Sequence, residues 1–340
     1  MAPSLLSKDA ADTNVQKAQP TEIKGQSGRQ YKIERVLQNK GSLLGRVFLA
    51  TQAVLSRANG NEKFVLKEIP RNNYEFRLEI YRRLGSCPYV RGLDDTAPDE
   101  SIFIFSHLKK NLPELAQKNL PISTTKRILK DALRGLAAMH DKDIVHNDIK
   151  SNNILIDATE GSHGIVVERT QLTDLEDSAH CPPPGNLLGA QLGNWMWRSP
   201  EAHAEGPMNK PSDIFAFAIV RIYALTKRVI FGVLKEELDK DKELLAIVLE
   251  RQLSYFGDLE AFNGFLQCLH YGNPENPWIE IFQVVRSSFN AENPREPFSL
   301  RQDEIVDEDF RDLTVKMTNF NPEKRITARE ALEHRWFMNV

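Results

Sequence analysis

The chain has 340 residues, of which 41% are apolar and 27% charged, with 44 Lys and Arg against 47 Asp and Glu for a formal net charge of −3. That length suits two packed lobes. The composition excludes a disordered polyelectrolyte or a fibre, and the charge balance gives no global electrostatic reason to expect nucleic acid or an anionic membrane as the main partner, though it leaves room for local basic patches. Three widely spaced cysteines, Cys87, Cys181 and Cys268, with no CxxC pair, speak against a disulfide framework or a structural zinc site and fit a reducing intracellular compartment, cytoplasmic or nuclear.

Residues 1–28 are polar with no sustained period and are predicted to form a disordered arm before a domain over 29–340. Lys8, Asp9 and Asp12 interrupt any signal peptide at the start. From Tyr31 the texture changes. The runs 31–38, 45–54, 63–69 and 101–108 are short, apolar or alternating, and rich in β-branched and aromatic residues, as strands are. One helix, Tyr74 to Leu84, interrupts them. Beyond residue 110 the period becomes helical, and Thr124 to His140 puts Ile128, Leu129, Leu133, Leu136 and Ala137 on one face. A strand-and-loop stretch over about 144–200 follows, and the rest reads as helix. The most apolar stretch, Ile214 to Leu225, contains Arg221 and is too short to span a bilayer, so no membrane segment is expected.

The segment Ile144 to Ile156 carries the chemistry. It places Asp148, Lys150 and Asn153 at i, i+2 and i+5 between two apolar flanks. Phosphoryl transfer needs such a set: a carboxylate to accept the proton of the attacking hydroxyl, a cation to offset charge on the moving group, and a neutral oxygen to hold a hard metal. A polar loop between two strands is the plainer reading of any one of these residues. Downstream come Asp174 in Leu172-Thr173-Asp174-Leu175-Glu176, the run Arg198-Ser199-Pro200-Glu201, and Asp213 in Ser212-Asp213-Ile214. The chain closes with Asn321-Pro322-Glu323-Lys324-Arg325 and Ala331-Leu332-Glu333-His334-Arg335-Trp336-Phe337. Upstream, Lys67 ends the apolar run Phe64-Val65-Leu66, and Glu79 on the next helix is its natural carboxylate partner, with Glu75 one turn earlier as the alternative.

The order and spacing of these pieces resemble the eukaryotic protein kinases, with their H-R-D-x-K-x-x-N loop, D-F-G and A-P-E segments and closing arginine, over about residues 31–340. The resemblance implies an α+β, bilobal fold. Its N-lobe (about 29–105) would be a five-stranded antiparallel sheet with one helix, followed by a hinge at 106–108 and a mainly helical C-lobe at 109–340. It implies ATP and Mg²⁺ as cofactors, Asp148 as base, and Lys150 on the γ-phosphate. Asn153 and Asp174 would be the metal ligands, and Lys67 with Glu79 the ATP clamp. Gly41, Gly45, Val47, Val65, Phe105, Ser106, Leu108 and Leu155 would line the nucleotide site, with backbone groups of Ser106 and Leu108 meeting the adenine and Phe105 behind it. Glu201 and Arg325 would form a buried pair, and Asp213 would brace the backbone of the catalytic loop. Lys150 matches Ser/Thr-directed members, so the expected substrate is a protein hydroxyl, and the elaborated region 227–302 is a possible docking surface.

The chain departs from the family's pattern at four places. Lys40 and Ser42 hold the first two glycine positions, with Gly41 offering a shifted turn. Asn147 replaces the arginine that pairs with a phosphorylated activation-loop residue, and between Asp174 and Trp197 the only hydroxyl is Ser178; both point to activity without phosphorylation there. Leu175 and Glu176 replace Phe and Gly, which puts a third carboxylate beside the metal segment. Asn194 replaces the threonine that bridges the base and the lysine, a task an amide could still do. The alternative to an active Ser/Thr kinase is a pseudokinase, a nucleotide-binding or scaffold protein. A small-molecule phosphotransferase is disfavoured by Ser199-Pro200-Glu201 and Arg325.

Overall fold

The computed structural model describes residues 21–39, 41, 45–52, 62–161, 164–189, 191–237, 243–302, 306–338 and 340. Residues 1–20 of the predicted arm, together with Lys40 and Ser42, lie outside the described residues. The chain forms two compact units, one of residues up to Pro70 plus Asp94–His107, the other of Arg71–Leu93 plus Leu108–Val340.

The first unit is a six-stranded sheet of β1 (Glu22–Lys24), β2 (Gln30–Asn39), β3 (Arg46–Gln52), β4 (Lys63–Glu68), β5 (Asp95–Ala97) and β6 (Ile102–Ser106), in the order β1-β2-β3-β4-β6-β5. The expected five strands gain β1, taken from residues assigned to the arm. A three-residue strand is too short to show a period, and what fixes it is tertiary: Ile23 is buried in the core, and its backbone pairs with Tyr31. All neighbouring pairs are antiparallel. Phe48, Ala50, Phe64 and Leu66 face a core with Tyr31, Ile102 and Ile104. The opposite face follows from the register, which sets Val47 against Lys67, Leu49 against Val65, and Val65 against Phe105.

In the second unit α1 (Tyr74–Leu84) occupies the predicted span. Its contacts group it here rather than with the sheet, because Ile80 and Leu84 pack into the larger core along with Leu175. β7 (Lys110–Asn111) and α2 (Leu112–Ala116) lead to α3 (Ile122–His140), whose predicted apolar face is fully buried. β8 (Ile144–Val145), β9 (Ile154–Gly161), β10 (Gly164–Leu172) and β11 (Ala179–His180) make two small sheets, β10-β9-β7 and β11-β8. Short α4 (Pro200–His203) precedes α5 (Lys210–Thr226), which from Ile214 to Leu225 is apolar all round but for Arg221 and runs through the core. α6 (Leu244–Phe256), α7 (Leu259–Gly272), α8 (Trp278–Ser287), α9 (Glu308–Met317) and α10 (Ala328–Glu333) complete the unit. Asn273-Pro274 and Asn276-Pro277 fall between α7 and α8.

Candidate active site

The site is built on the loop between β8 and β9. Asp213, in the first turn of α5 where the helix dipole favours an anion, organises its start. Its carboxylate accepts from the backbone N–H of His146 at 2.7 Å and of Asn147 at 2.9 Å, and lies 2.9 Å from His140 Nε2. This is the bracing expected of Asp213; His140 had no signal in the sequence. His146 Nδ1 accepts from the Asp148 N–H at 3.3 Å, so the ring proton sits on Nε2 and is donated to the Thr173 carbonyl at 3.0 Å.

Asp148, Lys150 and Asn153 are drawn together within this loop. Lys150 Nζ donates to Asp148 Oδ2 at 2.5 Å, and Asn153 Nδ2 donates to the same oxygen at 3.0 Å and to the Asp148 carbonyl at 2.8 Å. Asp148 is buried, its side chain 9% exposed. Two donors therefore fix its plane through Oδ2 and leave Oδ1 as the oxygen suited to receive a proton. With its amide hydrogens on Asp148, Asn153 keeps its amide oxygen as an acceptor that could meet a cation.

The β9–β10 register, in which Ile154 faces Leu172, carries Asn153 to the start of the Asp174 segment, and the Thr173 N–H donates to the Asn153 carbonyl at 2.9 Å. Asp174 has φ 66° and ψ 59°, a left-handed conformation that Asp tolerates better than most residues. Burial, then the nearby Asp148 and Asp174 carboxylates, hold the Asp177 carboxyl above the usual range against Arg77 and Lys150. Burial, then Glu176 and Asp174, push the Tyr81 hydroxyl up. The pocket thus concentrates negative charge around hard oxygen ligands.

In the first unit Val47, Val65, Lys67 and Phe105 share one face of the sheet. Gly41 and Gly45 both take positive φ, 78° and 77°, and Gly45 N–H donates to the Gly41 carbonyl at 3.1 Å. At Gly45 a Cβ would stand 2.6 Å from the Glu68 carbonyl, so only glycine fits. The Ser106 N–H donates to the Asp94 carboxylate. The boundary between the units falls between His107 and Leu108, inside the predicted hinge. Leu108 and Leu155 belong to the second unit, Leu108 buried and Leu155 half-buried. Glu79 is also there, in an i,i+4 pair with Arg83 at 2.9 Å, while Glu75 lies 3.5 Å from Arg82.

Around the loop, Arg325 meets Glu201 through two parallel bonds of 2.5 and 2.7 Å, and Ser212 Oγ donates to Glu201 at 2.7 Å. Asn194 does not take the expected bridging role. Its short side chain turns back on its own loop, accepting from the Met196 N–H at 3.1 Å, and Lys150 meets Asp148 directly. Arg198, half-buried, donates to the Gly193 carbonyl; burial lowers its guanidinium against the opposing pull of the Asp148 charge. The sequence carried Arg198 only as a neighbour of the Ser-Pro-Glu run and gave no sign of this contact.

Compared with known protein families, residues 54–337 match the protein kinase domain. The chain belongs to the protein kinase family. The match begins beyond the glycine-bearing turn, where Lys40 and Ser42 depart from the pattern. Relatives of this kinase include cyclin-dependent kinase 4 of Ovis aries, 25% identical over 260 residues (75% of this chain, 73% of the relative), and the same kinase of Mus musculus, 25% identical over 236 residues (68% and 66%). Serine/threonine-protein kinase STY46 of Arabidopsis thaliana is 21% identical over 182 residues, 52% of this chain and 27% of the relative. The family uses ATP with Mg²⁺, and the donor set fits that ion, since an amide oxygen and a carboxylate amid further carboxylates are hard ligands for a metal that draws its remaining oxygens from phosphate and water. Among the described residues no helix is long and apolar enough to cross a membrane.

Proposed function

We propose that this kinase transfers the γ-phosphate of Mg·ATP to Ser or Thr hydroxyls of protein substrates, and does so without phosphorylation of the segment between Asp174 and Trp197. The observation that carries the reading is the Lys150–Asp148–Asn153 cluster, a base held in one plane by a cation and an amide. Asp148 Oδ1 takes the proton of the attacking hydroxyl. Lys150, 2.5 Å from the same carboxylate, steadies charge on the transferred group. Asn153 and Asp174 would hold the metal, which would offset phosphate charge when bound. Lys67, on the half-buried face of β4, orients the phosphates, and Glu79 is its proposed carboxylate partner. Val47, Val65, Phe105 and Leu155, with the backbone of Ser106 and Leu108, receive the adenine. Ser/Thr preference is supported by Lys150 and by the likeness to the Arabidopsis relative, a serine/threonine-protein kinase by name.

Substrate docking is assigned to region 227–302. It contains a cleft of about 310 Å³ lined by Ile247, Arg251, Tyr255, Phe289 and Pro294 among others.

The test is transfer of label from γ-labelled Mg·ATP to a generic basic protein acceptor, comparing wild type with Asp148→Ala and Asp174→Asn. Loss of a positioned base is expected to lower turnover about 10²- to 10⁴-fold. Nucleotide binding with no transfer to any of a panel of acceptors would instead mark a scaffold.

A further inference from the structure

Asn147 occupies an unusual place. It sits at φ 66°, in the left-handed region that asparagine enters more readily than most residues, with its N–H fixed on Asp213 at 2.9 Å. From there it touches both ends of the segment that follows the metal ligand. At the near end its side-chain Nδ2 donates to the Asp177 carbonyl at 2.8 Å, three residues past Asp174. At the far end its own carbonyl abuts Gly193 so closely that a Cβ there would stand 2.5 Å away. Beside it, Ser178 Oγ donates to the His146 carbonyl at 3.3 Å, and Ala179 and His180 pair with Val145 and Ile144.

At Asp177 and Ser178 the near end is thus tied down by neutral hydrogen-bonding groups. Ser178, the only hydroxyl between Asp174 and Trp197, is 1% exposed and already bonded, so a phosphate on this segment has no place to form. We infer that Asn147 is a positioning residue. Its amide hydrogen bond to Asp177 holds the turn after Asp174 in the metal-binding conformation, the task an arginine and a phosphate share elsewhere in the family. The inference rests on the proposed phosphotransfer but can be read without it.

Asn147→Gly keeps the left-handed backbone and removes the amide, and Asn147→Asp keeps the shape and removes the donor. Both are expected to lower kcat about 5- to 30-fold, the scale of one lost hydrogen bond to a positioned group, and to raise the Mg²⁺ needed for half-maximal rate. The KM for the protein acceptor and the melting temperature should stay near wild type. Phosphatase-treated wild type should keep its activity. Unchanged kcat and Mg²⁺ dependence in both variants, or a loss of rate that merely tracks a lower melting temperature, overturns the inference. Amide hydrogen exchange separates it from the activity itself. Even in a protein that transfers no phosphate, residues 175–180 should exchange about tenfold faster in Asn147→Gly than in wild type, with α3 and α5 unchanged. Equal exchange over 175–180 in the two proteins overturns it as well.

Discussion

Arg325 and Arg221 are both shut away from water in the second unit, one against a carboxylate and the other against aromatic rings. Arg325 makes two bonds to Glu201 and three more to backbone carbonyls of Pro211, Asn319 and Phe320, so its guanidinium is saturated. Burial works against the Glu201 charge, but the Arg325 guanidinium and the Ser212 hydroxyl hold its carboxyl below the usual range. Arg221, wholly buried on α5, lies 4.3 Å from the ring centre of Trp336 and 4.6 Å from that of Phe310. Its Nη1 reaches Thr314 Oγ1 and Met317 Sδ, both at 3.4 Å, while Nε and Nη2 have no hydrogen-bond partner among the described residues. Burial pushes this guanidinium down to about 9. The same side chain is thus a tie between distant segments in one place and a stacked, nearly apolar plate in the other. Arg325 joins the end of the Asp174–Glu201 segment to the C-terminal helices. Arg221 fills a hole between α5 and α9.

The largest expected effect breaks the first arrangement. Glu201→Ala strands a buried guanidinium and should cost about 3–5 kcal/mol in urea unfolding, whereas a loss below about 1 kcal/mol would show that Arg325 is held by carbonyls alone. Next is the pH response of His203, two residues along α4. Burial, then the Arg198 charge, lower its imidazole from 6.5 to about 3, and Nε2 has no partner among the described residues. Between these values the unfolded chain binds the proton that the folded chain refuses. Its contribution is therefore fully present above pH 6.5 and is lost as pH falls towards 3, at up to about 1.4 kcal/mol per pH unit. Replacing His203 with Leu should flatten the stability curve in that window; an unaltered slope counts against a buried neutral ring. The smallest effect is expected at Arg221. Arg221→Met removes a charge that Asp307 reaches only through space, with no bond between them, and keeps most of the volume, so stability should change by less than about 1.5 kcal/mol, or rise. A loss comparable to that of Glu201→Ala would mean that the aromatic cage holds the cation as firmly as an ion pair does.

The elements with strong periods were legible from the sequence alone. α1 has the predicted limits, α3 buries the predicted stripe, and four of the six strands of the sheet lie within or across predicted runs, because a repeated apolar period reports which face meets the core. β1 escaped notice because three residues carry no period, and β5 because Asp95–Ala97 holds one buried carboxylate and two small residues. Arg221 stood out in the sequence only as a charge within an apolar run; that no water reaches it depends on the rings of Phe310 and Trp336, about 90 and 115 positions away.

Sequence by itself determined the family, the chemistry-bearing types at Asp148, Lys150, Asn153 and Asp174, and the buried partners Glu201 and Arg325, since a spacing of a few residues on a short loop admits few geometries. Tertiary structure alone decided what those side chains touch. It set Asn147 on Asp177 rather than on a phosphate, Asn194 on its own backbone rather than on Asp148, and Glu79 on Arg83 within its helix. A short polar side chain has several donors and acceptors within reach, and which of them it meets depends on where distant parts of the chain fold back.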